Sequence, residues 1–155
     1  MKHLILIFVF ILLYGCFSPV TSSEKNGGTD FNKQRETTME TEKERYTAFL
    51  TGCIPLAKNT VTRLEDKAIG FIALTENATT GYQWHCTISD TKILAPCGDD
   101  RFDFNRPDST GAAMQHVWKF KASGKGTCRI IFKYFRAWEG EGKAADVCEY
   151  EVTVQ

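Results

Sequence analysis

The chain has 155 residues, with 19 basic against 19 acidic side chains and a formal net charge of +0. That length suits one ordinary domain with short appendages, and an apolar fraction of 43% excludes low-complexity disorder as a description of the whole. The charge balance leaves no electrostatic case for nucleic acid or an anionic membrane surface, whose binders concentrate Lys and Arg.

Met1-Lys2-His3 is a short basic start, Leu4 to Leu13 is an apolar run, and a polar stretch with small residues follows from Ser18 to Ser23. Residues 1–22 therefore read as a secretory signal peptide, cut after Ser22 or close to it. A membrane span would need about 20 apolar residues. A rival reading takes Leu13-Tyr14-Gly15-Cys16 as a lipoprotein box with lipid on Cys16. Both readings send the protein out of the cytosol, to the outside or to a vesicular, lysosome-like compartment. No membrane attachment is expected once the signal is removed.

Without residues 1–22 the chain carries 18 basic and 19 acidic residues and five cysteines, Cys53, Cys86, Cys97, Cys128 and Cys148. In an oxidising compartment five thiols predict two disulfides and one free cysteine. Cys86 with Cys97 is the first pair to expect, because the two close a short local loop. None of the five lies in a CxxC pair, so a zinc ribbon or a thioredoxin-like site is not expected. His85 and Cys86 are neighbours on a strand pattern and point to opposite faces. Neither a metal nor a cofactor is predicted.

Residues 23–45 have Phe31 and Met39 as their only large apolar side chains, among Gly, Thr and mixed charge. They read as a flexible polar tail or linker, with at most a short helix around Gln34 to Arg45. The folded domain is expected from Tyr46 to Gln155.

Within that domain the pattern is β. Ala68 to Leu74 is a short apolar run ending at Thr75-Glu76-Asn77. Tyr82, Trp84, Cys86 and Ile88 alternate with Gln83, His85 and Thr87, as on a half-buried strand. Met114 to Lys121, Cys128 to Tyr134 and Val147 to Val154 supply further strands. Pro96-Cys97-Gly98, Arg106-Pro107-Asp108, Ser123 to Gly126 and Trp138-Glu139-Gly140 punctuate them as turns. Six to eight short strands with turns at roughly 8–12-residue spacing predict an all-β fold, an antiparallel β-sandwich.

Three loops stand out: Asn77-Ala78-Thr79-Thr80-Gly81, Ser109 to Ala113, and Arg136 to Gly140. The first and third fall at one end if strands alternate in direction, and a Greek-key connection lets the middle one reach it. Trp138 beside Arg136 suits contact with a partner, because Trp and Arg are enriched at binding hot spots.

Asn77-Ala78-Thr79-Thr80-Gly81-Tyr82-Gln83-Trp84 resembles the N-P-T-T-G-[YF]-x-W motif of chagasin-like inhibitors of papain-family cysteine peptidases. Arg136-Ala137-Trp138 resembles that family's R-P-W motif, and Gly111-Ala112-Ala113 lies where the family carries G-x-G-G. The resemblance covers residues 46–155 with the three motifs in order. It implies an immunoglobulin-like sandwich, no catalytic residues, and reversible tight inhibition by a monomer in a 1:1 complex. It also implies that the loops form a wedge in the peptidase cleft. Thr79 and Thr80 would then lie nearest the catalytic cysteine, with Gly81 and Tyr82 shaping the turn. Arg136 and Trp138 would cover one flank and the Gly111 loop the other.

The departures from the family pattern have physical content. Ala78 and Ala137 replace prolines that would stiffen their loops. Ala112 and Ala113 depart from the glycines of the middle motif. Asn77-Ala78-Thr79 is also a glycosylation sequon, expected to stay unused if Asn77 turns its side chain into the loop. Two other classes compete. A secreted immunoglobulin-like adhesion or carbohydrate-binding module would build an aromatic platform from Trp138, Trp118 and Tyr134. An enzyme would use His85 or His116 with a free Cys, but no nucleophile elbow or paired acid accompanies them.

Overall fold

A computed structural model describes residues 28–105 and 111–155. The proposed signal segment 1–22, Cys16, Ser109 and Thr110 lie outside these. Two four-stranded sheets face each other. One has the order β1(Cys53–Pro55), β3(Ile69–Glu76), β6(Met114–Ala122), β5(Leu94–Phe102). The other has the order β2(Val61–Leu64), β8(Asp146–Val154), β7(Gly126–Arg136), β4(Tyr82–Ile88).

The strands expected from alternation form as read, because their apolar members meet across the sandwich. Phe132 on β7 is the hub, with Trp118 at 4.7 Å, Tyr150 at 6.1 Å and Phe120 at 6.5 Å between ring centroids. Leu64, Ile72, Leu94, Ile130, Val152 and Val154 complete the buried cluster.

Three expectations are corrected. The sandwich is not wholly antiparallel: β1 runs parallel to β3 and β2 parallel to β8. The pairings among β3 to β8 are antiparallel. Second, Pro96-Cys97-Gly98 is not a turn between strands but part of β5, with a register shift between Pro96 and Gly98. Pro and a bulge are tolerated there because β5 is an edge strand that pairs only with β6.

Third, residues 28–45 are not a flexible tail. They form the first part of helix α1(Gly28–Leu50). Its polar half is rich in good helix formers, and the hydroxyls of Thr37, Thr38 and Thr41 bond back to the carbonyls four residues earlier. Such a helix is marginal alone; docking of its last turns anchors it. Tyr46 meets Phe102 and Phe104 edge-on at 5.1 and 5.3 Å, and Phe49 meets Phe102 at 5.5 Å. Arg45 bonds Asp100 at 3.0 Å and the Arg101 carbonyl at 2.9 Å. Phe102 and Val117 are thereby fully buried outside the central cluster, on the face of their sheet that points away from it. Tyr46, the expected start of the domain, packs on the sheet through Phe102.

The Cys86–Cys97 disulfide is also corrected. Cys53, Cys86, Cys97, Cys128 and Cys148 are all free thiols. Cys86 on β4 lines a groove of about 240 Å³ opposite Pro96, Gly98 and Asp99 of β5. Cys97 itself does not line that groove: next to Pro96 in the alternation, it lies on the other face of the sheet, near Lys119, Lys121 and Cys53.

Candidate functional site

The first loop is a single 3-10 turn, Ala78–Thr80, between β3 and β4. Asn77 caps it: its Oδ1 accepts from the Thr79 amide at 3.2 Å and the Thr79 hydroxyl at 2.6 Å. The Asn77 Nδ2 donates to the Gly111 carbonyl at 2.6 Å, which ties the first loop to the middle one. The Asn77 amide donates to the Tyr134 hydroxyl at 3.1 Å. Both polar groups of this side chain are therefore engaged within the loops, and a glycan on Nδ2 would replace one of its two N–H groups beside Gly111. Ala78, Thr79 and Thr80 are left exposed at the tip.

The turn closes at Gly81, whose φ of 80° lies in the left-handed region. A second demand falls on the same residue. A Cβ there would stand 2.2 Å from the ring of Trp138. The indole thus lies against the backbone of the first loop while remaining 72% exposed. Arg136 joins the two loops: its Nε donates to the Thr80 carbonyl at 3.0 Å. Its guanidinium sits 4.5 Å over Tyr82 and 5.9 Å from the Trp138 ring, and it pairs with Glu139 at 3.2 Å. Tyr82 stacks on Tyr134, and Tyr134 on Trp84.

In the middle loop Gly111 has φ 76°, and the Thr79 hydroxyl is 3.4 Å from where its Cβ would be. Ala112 is half-buried and Ala113 exposed. The loop is pinched at its root, where the Asn105 side-chain amide donates to the Ala113 carbonyl and to Asp103. Asn77, Ala78, Thr79, Thr80, Gly81, Tyr82, Gly111, Ala112, Ala113, Arg136, Ala137 and Trp138 thus share one end of the sandwich. Reasoning from sequence missed the residues that hold them there. Tyr134 and Asn105 carry no local signal of a supporting role, whereas Glu139, three residues after Arg136, was open to being read as its partner.

Directly beneath lies an ionic cluster. Glu76, the residue before Asn77, is 1% exposed, and its Oε1 receives the Arg101 Nε at 2.6 Å. Burial pushes this carboxyl up, but Arg101 and His116 outweigh it and hold the group below its usual range. His116 is 4% exposed and lies 2.7 Å from Asp99 through Nε2. Its ring stacks on Trp118 at 3.7 Å. Among the described residues no group of three His, Cys, Asp or Glu is placed to hold a metal ion.

The sandwich thus presents three loops tied to one another at one end, a surface suited to binding a partner. A family model described as the chagasin family of peptidase inhibitors, I42, matches residues 65–154, and the chain belongs to that family. It is a peptidase inhibitor, not an enzyme. Among solved structures it is similar to the cysteine protease inhibitor EhICP2 from Entamoeba histolytica, at 20% identity and TM-score 0.60. That match covers 66% of this chain and 96% of that one. Amebosin is similar at 22% identity and TM-score 0.53, covering 66% and 96%. PbICP-C, solved in complex with falcipain-2, is similar at 17% identity and TM-score 0.51, covering 66% and 98%. No curated protein matches the chain. Helix α1 lies ahead of the segment matched by the family model.

Proposed function

We propose that the three loops enter the active-site cleft of a papain-family, cathepsin L-like cysteine peptidase and exclude substrate, in a reversible 1:1 complex. The observation that carries this reading is the bonding of all three loops into one edge: Asn77 to Gly111, Arg136 to Thr80, and Trp138 against Gly81. Loops ordered before binding lose little entropy on association, which favours tight blockade without cleavage. Thr79 and Thr80 form the exposed tip. Trp138 offers a large apolar face backed by Arg136. The solved complex of PbICP-C with falcipain-2 supports the choice of peptidase class. The apolar run Leu4 to Leu13 supports delivery through the secretory pathway.

The adhesion or carbohydrate-binding alternative lacks its platform. Trp118 stacks on His116 and Phe132 inside the sandwich, and Tyr134 is sandwiched between Tyr82 and Trp84.

Titration against papain or a cathepsin L-type enzyme tests the proposal. Stoichiometric, reversible inhibition with the inhibitor left intact is expected; no inhibition at micromolar concentration would overturn it. Trp138→Ala combined with Thr79→Arg should abolish inhibition while costing only about 1 kcal/mol of stability, since both side chains are exposed and the one intramolecular bond lost is that of the Thr79 hydroxyl to Asn77. Trp138→Ala alone should weaken binding by about 2 kcal/mol or more, as for a hot-spot aromatic.

A further inference from the structure

We infer that His116 is a positioning residue for the binding edge, holding the first loop in place as an imidazolium and releasing it when neutral. The consequence for inhibition rests on the function proposed above; the mechanical coupling does not.

On the inner face of its sheet, the end nearest the loops is polar where the rest is apolar. His116 on β6 is opposite Leu74 of β3 on one side and Arg101 of β5 on the other. Two carboxylates face its ring. Asp99 Oδ2 is 2.7 Å from Nε2, and Glu76 Oε1 is 3.1 Å from Nδ1. The first contact is a hydrogen bond. The second is within ion-pair distance but lacks hydrogen-bond alignment, so Nδ1 is buried without a bonded partner. A neutral imidazole carries one N–H. If that N–H goes to Asp99, a lone pair on Nδ1 confronts the Glu76 carboxylate. A second proton converts this acceptor–acceptor contact into an attractive ion pair.

Each element packed against the ring contributes charged or titratable groups. β3 supplies Glu76. β5 supplies Asp99, Asp100 and Arg101, with Asp100 drawn outward by Arg45 of α1. From the opposite sheet β4 offers the Trp84 amide, 3.5 Å from Glu76 Oε2, and Cys86, a thiol pushed up to about 11 by burial and so neutral. β7 offers Tyr134, whose hydroxyl is taken by the Asn77 amide. Arg101 alone can balance one of the two carboxylates at the ring. The imidazolium balances the other.

Glu76 is the lever. It is bonded to Arg101 and Trp84 and is followed in the chain by Asn77, which caps the first loop and ties it to Gly111. A shift of Glu76 on loss of the imidazolium charge therefore reaches the roots of two loops at once. Gain of the imidazolium charge therefore sets the binding edge, and its loss loosens the edge.

An NMR titration of ¹⁵N-labelled protein from pH 5 to 8 tests the coupling without any peptidase. The amides of Asn77, Thr79, Gly81 and Trp84 should shift with the same midpoint as the His116 ring. His116→Gln should flatten that response. Asp99→Asn removes a half-exposed carboxylate and is expected to fold whatever becomes of the buried variant. It should move the shared midpoint to lower pH, because the imidazolium loses an anion. Loop amides indifferent to the ring's titration, or a midpoint unmoved in Asp99→Asn, would overturn the inference. With a peptidase present, the inhibition constant should rise about fivefold or more from pH 5 to 8, relative to that of His116→Gln. Absence of inhibition at every pH would sink the inhibitor reading instead, and the loop amides would still decide the coupling.

Discussion

Gly81 and Glu76 show how much of the site turns on single side chains. Gly81 combines φ 80° with an indole ring where its Cβ would be. Gly81→Ala should therefore cost about 1–3 kcal/mol of backbone strain. It should also displace Trp138, so inhibition should fall far more than thermal stability does; equal losses in both would argue against the stacking. Glu76 makes a different prediction. Its carboxyl is held below the ordinary range, against the opposing effect of its own burial, so its pair with Arg101 stabilises the fold fully above about pH 4.3. That stabilisation is lost as pH falls through the depressed folded value. The melting temperatures of the wild type and Glu76→Gln should accordingly differ above about pH 4.3, where the Arg101 pair is intact, and converge in acid.

At the scale of elements, α1 lies outside the family match, as β1 and β2 do, and tertiary packing joins it to the domain. Its first half is polar in sequence, while Tyr46 and Phe49 cover Phe102 and Lys119 lies 3.6 Å over the Phe49 ring. Phe102→Ala should destabilise the domain by about 3–5 kcal/mol, as expected for a fully buried aromatic, although it lies outside the central cluster. Removing residues 24–44 should change the melting temperature little, because Tyr46 and Phe49 remain. Chemical denaturation of the three proteins checks this, and a large loss on the short truncation would assign the anchoring to the polar half instead. β5 teaches a related lesson. Leu94–Phe102 contains Pro96, Gly98, Asp99 and Asp100, all poor strand formers, and is a strand because β6 offers a ladder along its edge.

For the molecule as a whole, the thiols and the two-sheet core describe a domain stabilised by packing rather than by covalent bridges. Alkylation of the denatured, unreduced protein should label Cys53, Cys86, Cys97, Cys128 and Cys148 alike, and reductant should leave the melting temperature unchanged. A crosslinked Cys86–Cys97 peptide would contradict this. The groove between β4 and β5 is where the two edge strands remain open to each other.

What the sequence determined by itself was the alternation of Tyr82 to Ile88, Cys128 to Tyr134 and Val147 to Val154, hence the sandwich, and the three motifs that mark the binding loops. Those signals are local: a period of two follows from strand geometry, and a motif is contiguous. Tertiary structure decided what depends on contacts between distant residues. It made the edge strand β5 from a turn-like segment and fixed the parallel pairings of β1 and β2. It also anchored a polar helix through two aromatics and left the cysteines apart. Above all it brought Asn77 to Gly111, Arg136 to Thr80, and His116 between Glu76 and Asp99. Those bonds span 17 to 56 positions in sequence or run between neighbouring strands, and no local periodicity encodes them.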